Sequence, residues 1–339
     1  MKKDMILEPR TKYNYKSNPK TFYDVIIIGT GIVGFSTAMY ASRLGLKTLI
    51  IGEMIGGTIA LTDSVENWPG IVSISGMNLA KLVENHAKDY PINISQEIVK
   101  KVEKIKIKTQ RYFKVKTKEN DFSGKTVVFC TGTKVRELNV PGEKEFKGRG
   151  VSYCALCDGP LFRDKVVGVV GGSDSAVKEA LLLSRYAKKV YIIYRKQKLR
   201  AEPINLKKLE EKIKQKKIEI ISNTNVKEIH GDKLIKSVIF DKPYKKNKEF
   251  PIQGLFIGIG HISLSELTKN LEIKLNKKSE IIINKNSETN IKGVYAAGDV
   301  TNTKFKQAIT GSAEGVTAAY QAYEYVNKGE FVLPCGECE

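Results

Sequence analysis

The chain has 339 residues, of which 41% are hydrophobic and 28% are charged, and its formal net charge is +20 at pH 7. This composition is ordinary for a globular protein of up to two domains, and no run of about 18 apolar residues predicts a membrane span. The lysines are scattered through nearly every segment and accompany no nucleic-acid motif. We therefore expect a solvated basic surface, which also suits an acidic protein partner, and no nucleic-acid binding.

Residues 1 to 21 lack the apolar segment of a signal peptide, so we expect a flexible leader on a cytoplasmic protein that does not bind membranes. The five cysteines are Cys130, Cys154, Cys157, Cys335 and Cys338. They are too few and too unevenly spaced for the disulfide framework of a secreted protein, whereas two Cys-x-x-Cys pairs suit catalysis in a reducing compartment. Cys130 lies in an apolar strand and is expected in the core.

The first element with a chemical signature is a strand, Tyr23 to Ile28, followed by Gly29-Thr30-Gly31-Ile32-Val33-Gly34 and a helix from Phe35 to Leu44. A glycine-rich turn between a strand and a helix is the fingerprint of dinucleotide binding. A second strand, Lys47 to Ile51, leads to an acid that can hold a ribose hydroxyl. The expected contacts are Gly29, Gly31, Gly34 and Glu53, with close backbone approach at Gly56 and Gly57.

Alternating polar and apolar residues from Ile94 to Lys118 predict a small antiparallel meander. A strand from Lys125 to Phe129 then returns to the sheet. It ends at Thr131 and Gly132, where a loop can meet the first cofactor.

The segment Cys154-Ala155-Leu156-Cys157-Asp158-Gly159 is the candidate redox centre. Two cysteines at this spacing can close a small disulfide ring that is readily reduced, and Asp158 can supply and accept a proton. The alternatives for an isolated pair are half of a zinc site or an incidental surface pair. We assign no metal site.

The plan of the first unit then repeats. The predicted elements are a strand at Lys165 to Val170, a turn at Gly171 to Ala176, a helix at Val177 to Tyr186, a strand at Val190 to Tyr194, a lysine-rich helix near Asn205 to Lys216, a meander at Ile218 to Phe240 and a strand at Leu255 to Gly260. This internal duplication predicts a second nucleotide site on the same chain.

The second site differs from the first because Arg195, Lys196 and Arg200 follow its second strand in place of an acid. Positive side chains there suit a 2'-phosphate, so the expected ligand is NADPH. The alternative is three solvated basic residues in a lysine-rich protein. The other expected contacts are Gly171, Gly172, Ser173, Asp174 and Ser175, of which Ser173 stands where glycine would best admit the pyrophosphate.

The segment from Thr289 to Asp299 has the form of the last strand of an FAD-binding domain, and a helix from Lys306 to Tyr325 follows it. The chain therefore returns to its first unit. We predict an α/β fold with two Rossmann-like dinucleotide-binding domains, the second inserted into the first, each with a small antiparallel meander. The FAD domain comprises residues 22–132 and 262–329, and the NADPH domain, with the redox pair, comprises residues 133–261.

Together these motifs make the chain resemble the low-molecular-weight thioredoxin reductases of bacteria and archaea, from about Phe22 to Asn327. The matching segments are Gly29 to Gly34, Val65 to Gly70, Val140 to Glu143, Lys147 to Ser152, Cys154 to Gly159, Gly171 to Ala176 and Tyr295 to Val300. The Cys-Ala-Leu-Cys-Asp-Gly element inside the second nucleotide domain is the most specific of them.

The resemblance implies a homodimeric flavoenzyme that passes electrons from NADPH through FAD to a disulfide and then to thioredoxin or a thioredoxin-like or glutaredoxin-like protein. It implies that Cys157 faces the flavin, that Cys154 attacks the substrate and that Asp158 donates the proton. The implied FAD contacts further include Asn67, Thr131, Gly132, Gly298, Asp299, Lys306, Gln307 and Ala308.

The disulfide and the nicotinamide both belong to the inserted domain, and both must reach the flavin. A rotation of that domain, with hinges near Thr131 to Lys134 and Gly258 to Ile262, would let them alternate. Two other functions remain compatible with the motifs. One is a ferredoxin-dependent reductase of the same fold, and the other is a flavin-containing redox sensor without turnover.

The last residues, 330–339, contain Cys335-Gly336-Glu337-Cys338, which the family pattern does not require. We expect a mobile tail, since Pro334 ends the preceding structure and Gly336 keeps the pair pliable. Three interpretations are open: an electron relay from Cys154, a passive tail, and a zinc site shared with Cys154 and Cys157.

Overall fold

The computed structural model describes residues 8–10, 12–62, 65–107 and 110–327. These residues form two compact units, and the second, Lys134–Ile262, interrupts the first, which includes the chain up to Thr133 and from Ser263 onward. The tail cysteines Cys335 and Cys338 lie outside the described residues, so the tail and its relay stay predictions.

Both units contain helices between parallel strands and a run of consecutive strands. In chain order they are β1 (Phe22–Ile28), α1 (Ile32–Arg43), β2 (Thr48–Ile51), α2 (Gly76–Ala87), β3 (Ile92–Ser95), β4 (Lys101–Ile107), β5 (Gln110–Lys116), β6 (Asp121–Phe129), β7 (Thr133–Val135), β8 (Val151–Ser152), α3 (Ala155–Asp158), β9 (Val166–Val170), α4 (Asp174–Leu183), β10 (Lys189–Tyr194), α5 (Pro203–Lys214), β11 (Ile218–Ser222), β12 (Val226–Gly231), β13 (Ile235–Tyr244), β14 (Asn247–Pro251), β15 (Gly254–Ile257), β16 (His261–Ser263), β17 (Val294–Ala296) and α6 (Ala308–Val326).

The sheet of the first unit has the order β3-β2-β1-β6-β5-β4, with β17 also paired to β6. Strands β1, β2, β3, β6 and β17 are parallel, and β4, β5 and β6 are antiparallel. The long strand β6 joins the two parts, because its first half pairs with β5 and its second half with β17. The meander is therefore shorter than predicted, since Ile94 belongs to the parallel strand β3.

Strand β1 is covered on both faces, as its nearly continuous apolar sequence predicts. Val25 and Ile27 lie in one core cluster with Phe35 of α1 and Ala318 of α6, whereas Ile26 lies in the other. Cys130 is a buried free thiol in the first of these clusters, as expected, and burial raises its pKa to about 12. Such a thiol is a packing residue.

The described part of the predicted leader is packed against the first unit. The carbonyl of Tyr15 accepts a hydrogen bond of 2.7 Å from the amide of Ile94 in β3, and its hydroxyl donates to the carbonyl of Lys88 at 2.8 Å. Arg10 and Asp89 form an ion pair of 2.6 Å. These described residues therefore contact the first unit, and the flexibility of the leader as a whole stays a prediction.

The sheet of the second unit has the order β11-β10-β9-β15-β8, and its strands are parallel. A separate antiparallel sheet, β12-β13-β14, forms the meander. The predicted meander began at Ile218, but residues 218–222 form the parallel strand β11. Helices α4 and α5 contribute to one core cluster of the parallel sheet and the meander to another.

The two connections between the units run side by side as a two-stranded ribbon formed by β7 and β16.

Helix α2 was not predicted from sequence. Ser75 caps it by accepting a hydrogen bond from the amide of Asn78 at 3.2 Å. In the part of the chain that the structure describes, every helix is too short or too polar to span a membrane.

Candidate functional site

In the first unit, four parallel strands end at the same level. Ile28 of β1 is paired with Ile51 of β2 and with Phe129 of β6, and Phe129 is paired in turn with Ala296 of β17. The segments that follow therefore meet at one edge, which we call the first carboxyl edge, and this is where open parallel sheets bind ligands. All the predicted FAD contacts lie in segments that follow these strands or in the loop before α2.

Two glycines of the first turn are required by close packing of the backbone. Gly29 has a φ of +120°, and a Cβ there would lie 2.2 Å from the carbonyl oxygen of Cys130. A Cβ on Gly34 would lie 1.8 Å from the carbonyl oxygen of Gly29. These glycines let α1 begin directly above the end of β1, so that its free amide groups face the edge.

The third glycine, Gly31, is different, because a side chain there would enter open space and would not overlap the backbone. The heavy atom nearest to a Cβ on Gly31 would be the Cα of Gly57, at 3.7 Å. Gly31 also pairs with Gly56, whose amide donates to the carbonyl of Thr30 at 2.8 Å. Three glycines thus line an open cradle at the start of α1, and this cradle fits a pyrophosphate. Glu53 is exposed beside it, where a carboxylate can accept from ribose hydroxyls.

Lys306 is engaged by protein groups in the loop around Asp299. Lys306 was expected to contact FAD, but its ammonium donates to the carbonyls of Asp299 and Thr301 at 2.7 and 2.6 Å and pairs with Glu280 at 3.0 Å. An ammonium has three hydrogens, and these protein acceptors take all of them. Lys306 instead holds the loop that presents the half-buried Asp299.

Two other predicted contacts are brought together from distant parts of the chain. The side-chain amide of Asn67 donates to Oε1 of Gln307 at 2.9 Å. Gln307 is the residue before Ala308, the first residue of α6, and it forms a capping box with Thr310. The hydroxyl of Thr131 donates to the carbonyl of Leu264 at 2.7 Å, and Gly132 adopts a positive φ of +65°.

The second unit repeats this arrangement. Val170 of β9 is paired with Ile193 of β10 and with Ile257 of β15, so the three strands end together at a second carboxyl edge. A Cβ on Gly171 would lie 2.2 Å from the carbonyl oxygen of Gly258, the same clash that excludes a side chain at Gly29. The turn leads into α4, whose first residues include the exposed Ser175.

The loop after β10 brings the predicted basic residues to this turn. Ser173 pairs with Arg200, whose amide donates to the carbonyl of Gly172 at 2.7 Å. Arg195, Lys196 and Arg200 are exposed, and the described residues provide no carboxylate that pairs with them. Three free cations beside a phosphate turn fit a nucleotide with a 2'-phosphate.

Asp174 was expected to contact NADPH, but its carboxylate is engaged within the protein. It accepts from the amide of Glu202 at 2.9 Å and from the side chain of Asn205 at 2.8 Å, and it pairs with Lys178 at 2.8 Å. Burial raises the pKa of this carboxyl, but these hydrogen bonds outweigh it and lower the pKa overall. Asp174 thus fixes the loop that carries Arg200.

The redox segment follows β8, which lies at the edge of the same sheet. Val151 and Ser152 of β8 pair with Leu255 and Phe256 of β15, so Cys154 lies near the second carboxyl edge. Cys154 is disulfide-bonded. Its amide donates to the hydroxyl of Ser152 at 3.1 Å, and its carbonyl accepts from the amide of Asp158 at 3.1 Å.

A buried acid that sequence reasoning passed over supports this segment. Glu143 is 1% exposed and accepts from the amides of Leu138 and Asn139 at 2.8 and 2.5 Å. It also accepts from the hydroxyl of Tyr153 at 2.7 Å. Glu143 therefore holds the residue before Cys154, and only its place in the matched Val140 to Glu143 segment hinted at this.

Two polar side chains to which the sequence assigned no site role also lie at the second carboxyl edge. The Oε2 atom of Glu179 and the hydroxyl of Tyr194 are buried without a hydrogen-bond partner among the described residues. Burial raises the pKa of Glu179 from 4.5 to about 7. Glu179 belongs to α4 and faces Gly258, where a Cβ would lie 3.0 Å from Oε2.

Two dinucleotide turns on one chain, with a disulfide-bonded cysteine near the second, define a nucleotide-dependent disulfide oxidoreductase. The family model described as pyridine nucleotide-disulphide oxidoreductase matches residues 23–315, and the chain belongs to this family. This membership confirms the enzyme class predicted from sequence.

Individual relatives agree with the predicted resemblance. A thioredoxin reductase of Bacillus subtilis is 39% identical over 309 residues, which are 90% of this chain and 95% of that protein. The crystal structure of Lactococcus lactis thioredoxin reductase in its FR conformation is 36% identical, with a TM-score of 0.84 over 90% of this chain and 99% of that one. The T. acidophilum enzyme is 35% identical, with a TM-score of 0.82 over 89% and 98%. The resemblance and the fold class are confirmed.

The cradle predicts different outcomes for two alanine substitutions. Gly31→Ala should fold but lose most of its FAD, because the new methyl group enters the open space. Gly34→Ala should instead lower the melting temperature of the apoprotein, because its methyl group overlaps a carbonyl. Flavin absorbance after purification and thermal unfolding of the apoprotein measure the two effects. Full flavin content in folded Gly31→Ala would contradict the assignment of the cradle.

The buried acid predicts a pH-dependent stability. The pKa of Glu179 is higher in the folded protein than in the unfolded chain. The contribution of Glu179 to the free energy of unfolding is therefore fully present below about pH 4.5 and is lost as the pH rises through about 7. The free energy of unfolding of Glu179→Gln, relative to that of the wild type, should therefore increase by up to about 3 kcal/mol between pH 5 and pH 8. Urea unfolding at both pH values measures this difference. The control is Glu210→Gln, an exposed acid on α5, and an equal pH response of both variants would refute the prediction.

Proposed function

We propose that this chain is a thioredoxin reductase, which passes electrons from NADPH through FAD and a Cys154–Cys157 disulfide to a small dithiol protein such as thioredoxin. The observation that carries this proposal is a disulfide-bonded Cys154 beside the nucleotide edge of the second unit. The names of the relatives support the substrate and do not favour the ferredoxin-dependent reductase or the redox sensor without turnover.

The proposed roles of the side chains follow from their positions. In the first unit, the glycine cradle and Glu53 bind the FAD phosphates and ribose, and Asp299 faces the ribitol. In the second unit, Arg195, Lys196 and Arg200 bind the 2'-phosphate of NADPH. When bound, FAD would supply the two-electron chemistry that links oxidation of NADPH to reduction of the disulfide.

The thiol steps use the chain's own residues. Reduction breaks the disulfide and leaves two sulfurs, of which Cys157 faces the flavin and Cys154 attacks the disulfide of the substrate protein. Attack forms a mixed disulfide at Cys154, and Cys157 then displaces the reduced substrate. Asp158 donates a proton to the leaving thiolate. The half-buried carboxyl of Asp158 lies on α3, in the same short helix as Cys157.

We further propose a rotation between the units, because the disulfide and the NADPH site belong to the same unit and both must reach the flavin. The hinge segments are Thr131 to Lys134 and Gly258 to Ile262. The ribbon of β7 and β16 supports this choice, since it carries both connections. We also expect a cytoplasmic homodimer.

The direct test is steady-state turnover. The purified protein with bound FAD should oxidise NADPH in the presence of a bacterial thioredoxin and should reduce insulin through it. Cys154→Ser should abolish this turnover but still allow NADPH to bleach the flavin. A wild-type protein that bleaches with NADPH yet reduces no thioredoxin, glutaredoxin or small disulfide would refute the proposed substrate class.

The basic residues predict the nucleotide preference. Arg195→Ala combined with Arg200→Ala should raise the KM for NADPH by about 10-fold or more and leave the KM for NADH nearly unchanged, because charge-assisted bonds to the 2'-phosphate are lost. The control variant, Lys207→Ala with Lys214→Ala, removes the same charge from exposed positions of α5. Equal increases for both nucleotides would contradict the 2'-phosphate assignment.

The two cysteines should be distinguishable by colour. Cys154→Ser leaves a Cys157 thiolate that should give a long-wavelength charge-transfer band with oxidised flavin, whereas Cys157→Ser should not. Absorbance spectra between pH 6 and pH 9 measure the band and the pKa of the thiol that produces it. A band in Cys157→Ser alone would reverse the two roles.

A further inference from the structure

The parallel strands of the second unit begin together at the edge of the sheet opposite to the nucleotide turn. Lys189 of β10 is paired with Val166 of β9, and Val190 is paired with Ile218 of β11, so the three strands start at nearly the same level. The turns before these strands and the first residue of β10 carry six cations, which we call the basic edge: Arg163, Lys165, Lys188, Lys189, Lys216 and Lys217. The mechanism described above uses none of them.

Hydrogen bonds between the turns hold these cations close to one another. The carbonyl of Lys165 accepts a hydrogen bond from the amide of Lys188 at 2.9 Å. The ammonium of Lys189 donates to the carbonyl of Lys216 at 2.9 Å. Each turn is thus bonded to its neighbour, and the basic edge is one continuous surface.

The positive charge of the basic edge is poorly compensated. Lys189 is paired with Glu219 at 3.2 Å. Four other cations of the edge are exposed and form no ion pair with a described residue: Arg163, Lys188, Lys216 and Lys217. Like charges held this close repel one another and destabilise the compact state, and an anionic partner would relieve the repulsion. The charge therefore favours a binding surface with an acidic partner.

The basic edge lies close to the redox segment along the chain. Arg163 is six residues after Cys157, and a stretch of this length spans at most about 22 Å. The turn between them and β9 is fixed, because the amide of Asp164 donates to the carbonyl of Tyr186 at 3.1 Å. A globular protein of about 100 residues has a radius of gyration of about 13 Å, so it is wider than this span. A protein whose disulfide reaches Cys154 is therefore large enough to contact the basic edge as well.

The aromatic rings beside the edge argue against a nucleic acid as the partner. Proteins that bind single strands offer bare rings on which bases stack. Here the guanidinium of Arg163 lies over the ring of Tyr186, 5.8 Å from its centroid, and the ammonium of Lys165 lies 5.4 Å from the centroid of Phe162. Cations already cover both rings, so charge is the feature that the edge offers to a partner.

We propose that the basic edge docks the dithiol protein substrate through an acidic surface beside the substrate's disulfide. This inference rests on the proposed function, because it requires disulfide exchange between Cys154 and a protein. Complementary charge speeds the encounter of two proteins and suppresses wrong partners. The basic edge thus selects substrates by their charge, whereas the cysteines carry out the exchange.

The test is steady-state turnover of an acidic bacterial thioredoxin by the FAD enzyme at low ionic strength. Lys188→Glu combined with Lys216→Glu and Lys217→Glu should raise the KM for thioredoxin by about 10-fold or more, because attraction becomes repulsion. The kcat and the rate at which NADPH bleaches the flavin should not change. About 0.3 M salt should remove most of the difference, since it screens exposed charges. Glutamine at the same three positions should raise the KM by a smaller factor, and this variant keeps the test decisive if the glutamate variant does not fold.

The matched control is Lys242→Glu with Lys246→Glu and Lys248→Glu. It makes the same change of net charge at exposed positions of the meander, so its KM for thioredoxin should stay close to that of the wild type. An unchanged KM in the basic-edge variants, or an equal rise in the control, overturns the docking surface and leaves the proposed function standing.

Two further outcomes are distinct from these. Binding of a single-stranded DNA oligonucleotide that the basic-edge variants abolish, with their KM for thioredoxin unchanged, would assign the edge to nucleic acid and overturn the proposal. A wild-type enzyme that reduces no thioredoxin would overturn the proposed function and the docking surface together.

Discussion

Backbone packing at the first glycine of each turn is the constraint on which both nucleotide sites depend. A Cβ on Gly29 would lie 2.2 Å from the carbonyl oxygen of Cys130, and a Cβ on Gly171 would lie 2.2 Å from that of Gly258. In both units the glycine lets the chain turn sharply from a buried strand into a helix while the next parallel strand ends against it. The helix amides then face the edge at which the other strands also end.

The same backbone serves two different ligands because the loop after the second strand returns to the turn in both units. Gly56 pairs with Gly31 in the first unit, and Arg200 pairs with Ser173 in the second. A glycine and an exposed acid at the first edge suit the close approach of a phosphate and a ribose. An arginine and its basic neighbours at the second edge suit an additional phosphate. Duplication thus conserved the hydrogen bonds of the turn, and side-chain substitution changed the charge.

Sequence reasoning predicted the two turns, the buried strands beside them and the insertion of one unit into the other, because glycine spacing and continuous apolar runs are local signals. It overextended both meanders, since β3 and β11 have patterns that do not reveal whether a partner strand is parallel. Charged residues gave the weakest predictions. Lys306 and Asp174 have the expected locations, but nearby carbonyls and amides engage them, and such partners come from segments that sequence spacing does not identify.

The orphan hydroxyl of Tyr194 and the raised pKa of Glu179 were likewise beyond prediction, because both depend on how closely β10, α4 and Gly258 pack. Whether a buried polar atom lacks a hydrogen-bond partner depends on the packing of the folded chain at this edge, and the amino-acid sequence does not indicate it. These two groups are where the second site departs from a simple copy of the first.

Electron transfer from NADPH to a protein disulfide requires that both sites work in one electron path, and anaerobic stopped-flow reduction tests this most directly. NADPH should bleach the flavin within the time of a single turnover, and faster than NADH does at equal concentration. Reductive titration should consume two electron pairs per chain, one for FAD and one for the Cys154 disulfide, apart from any electrons taken up by the tail cysteines. A flavin that stays oxidised with NADPH but is reduced by ferredoxin would contradict the account.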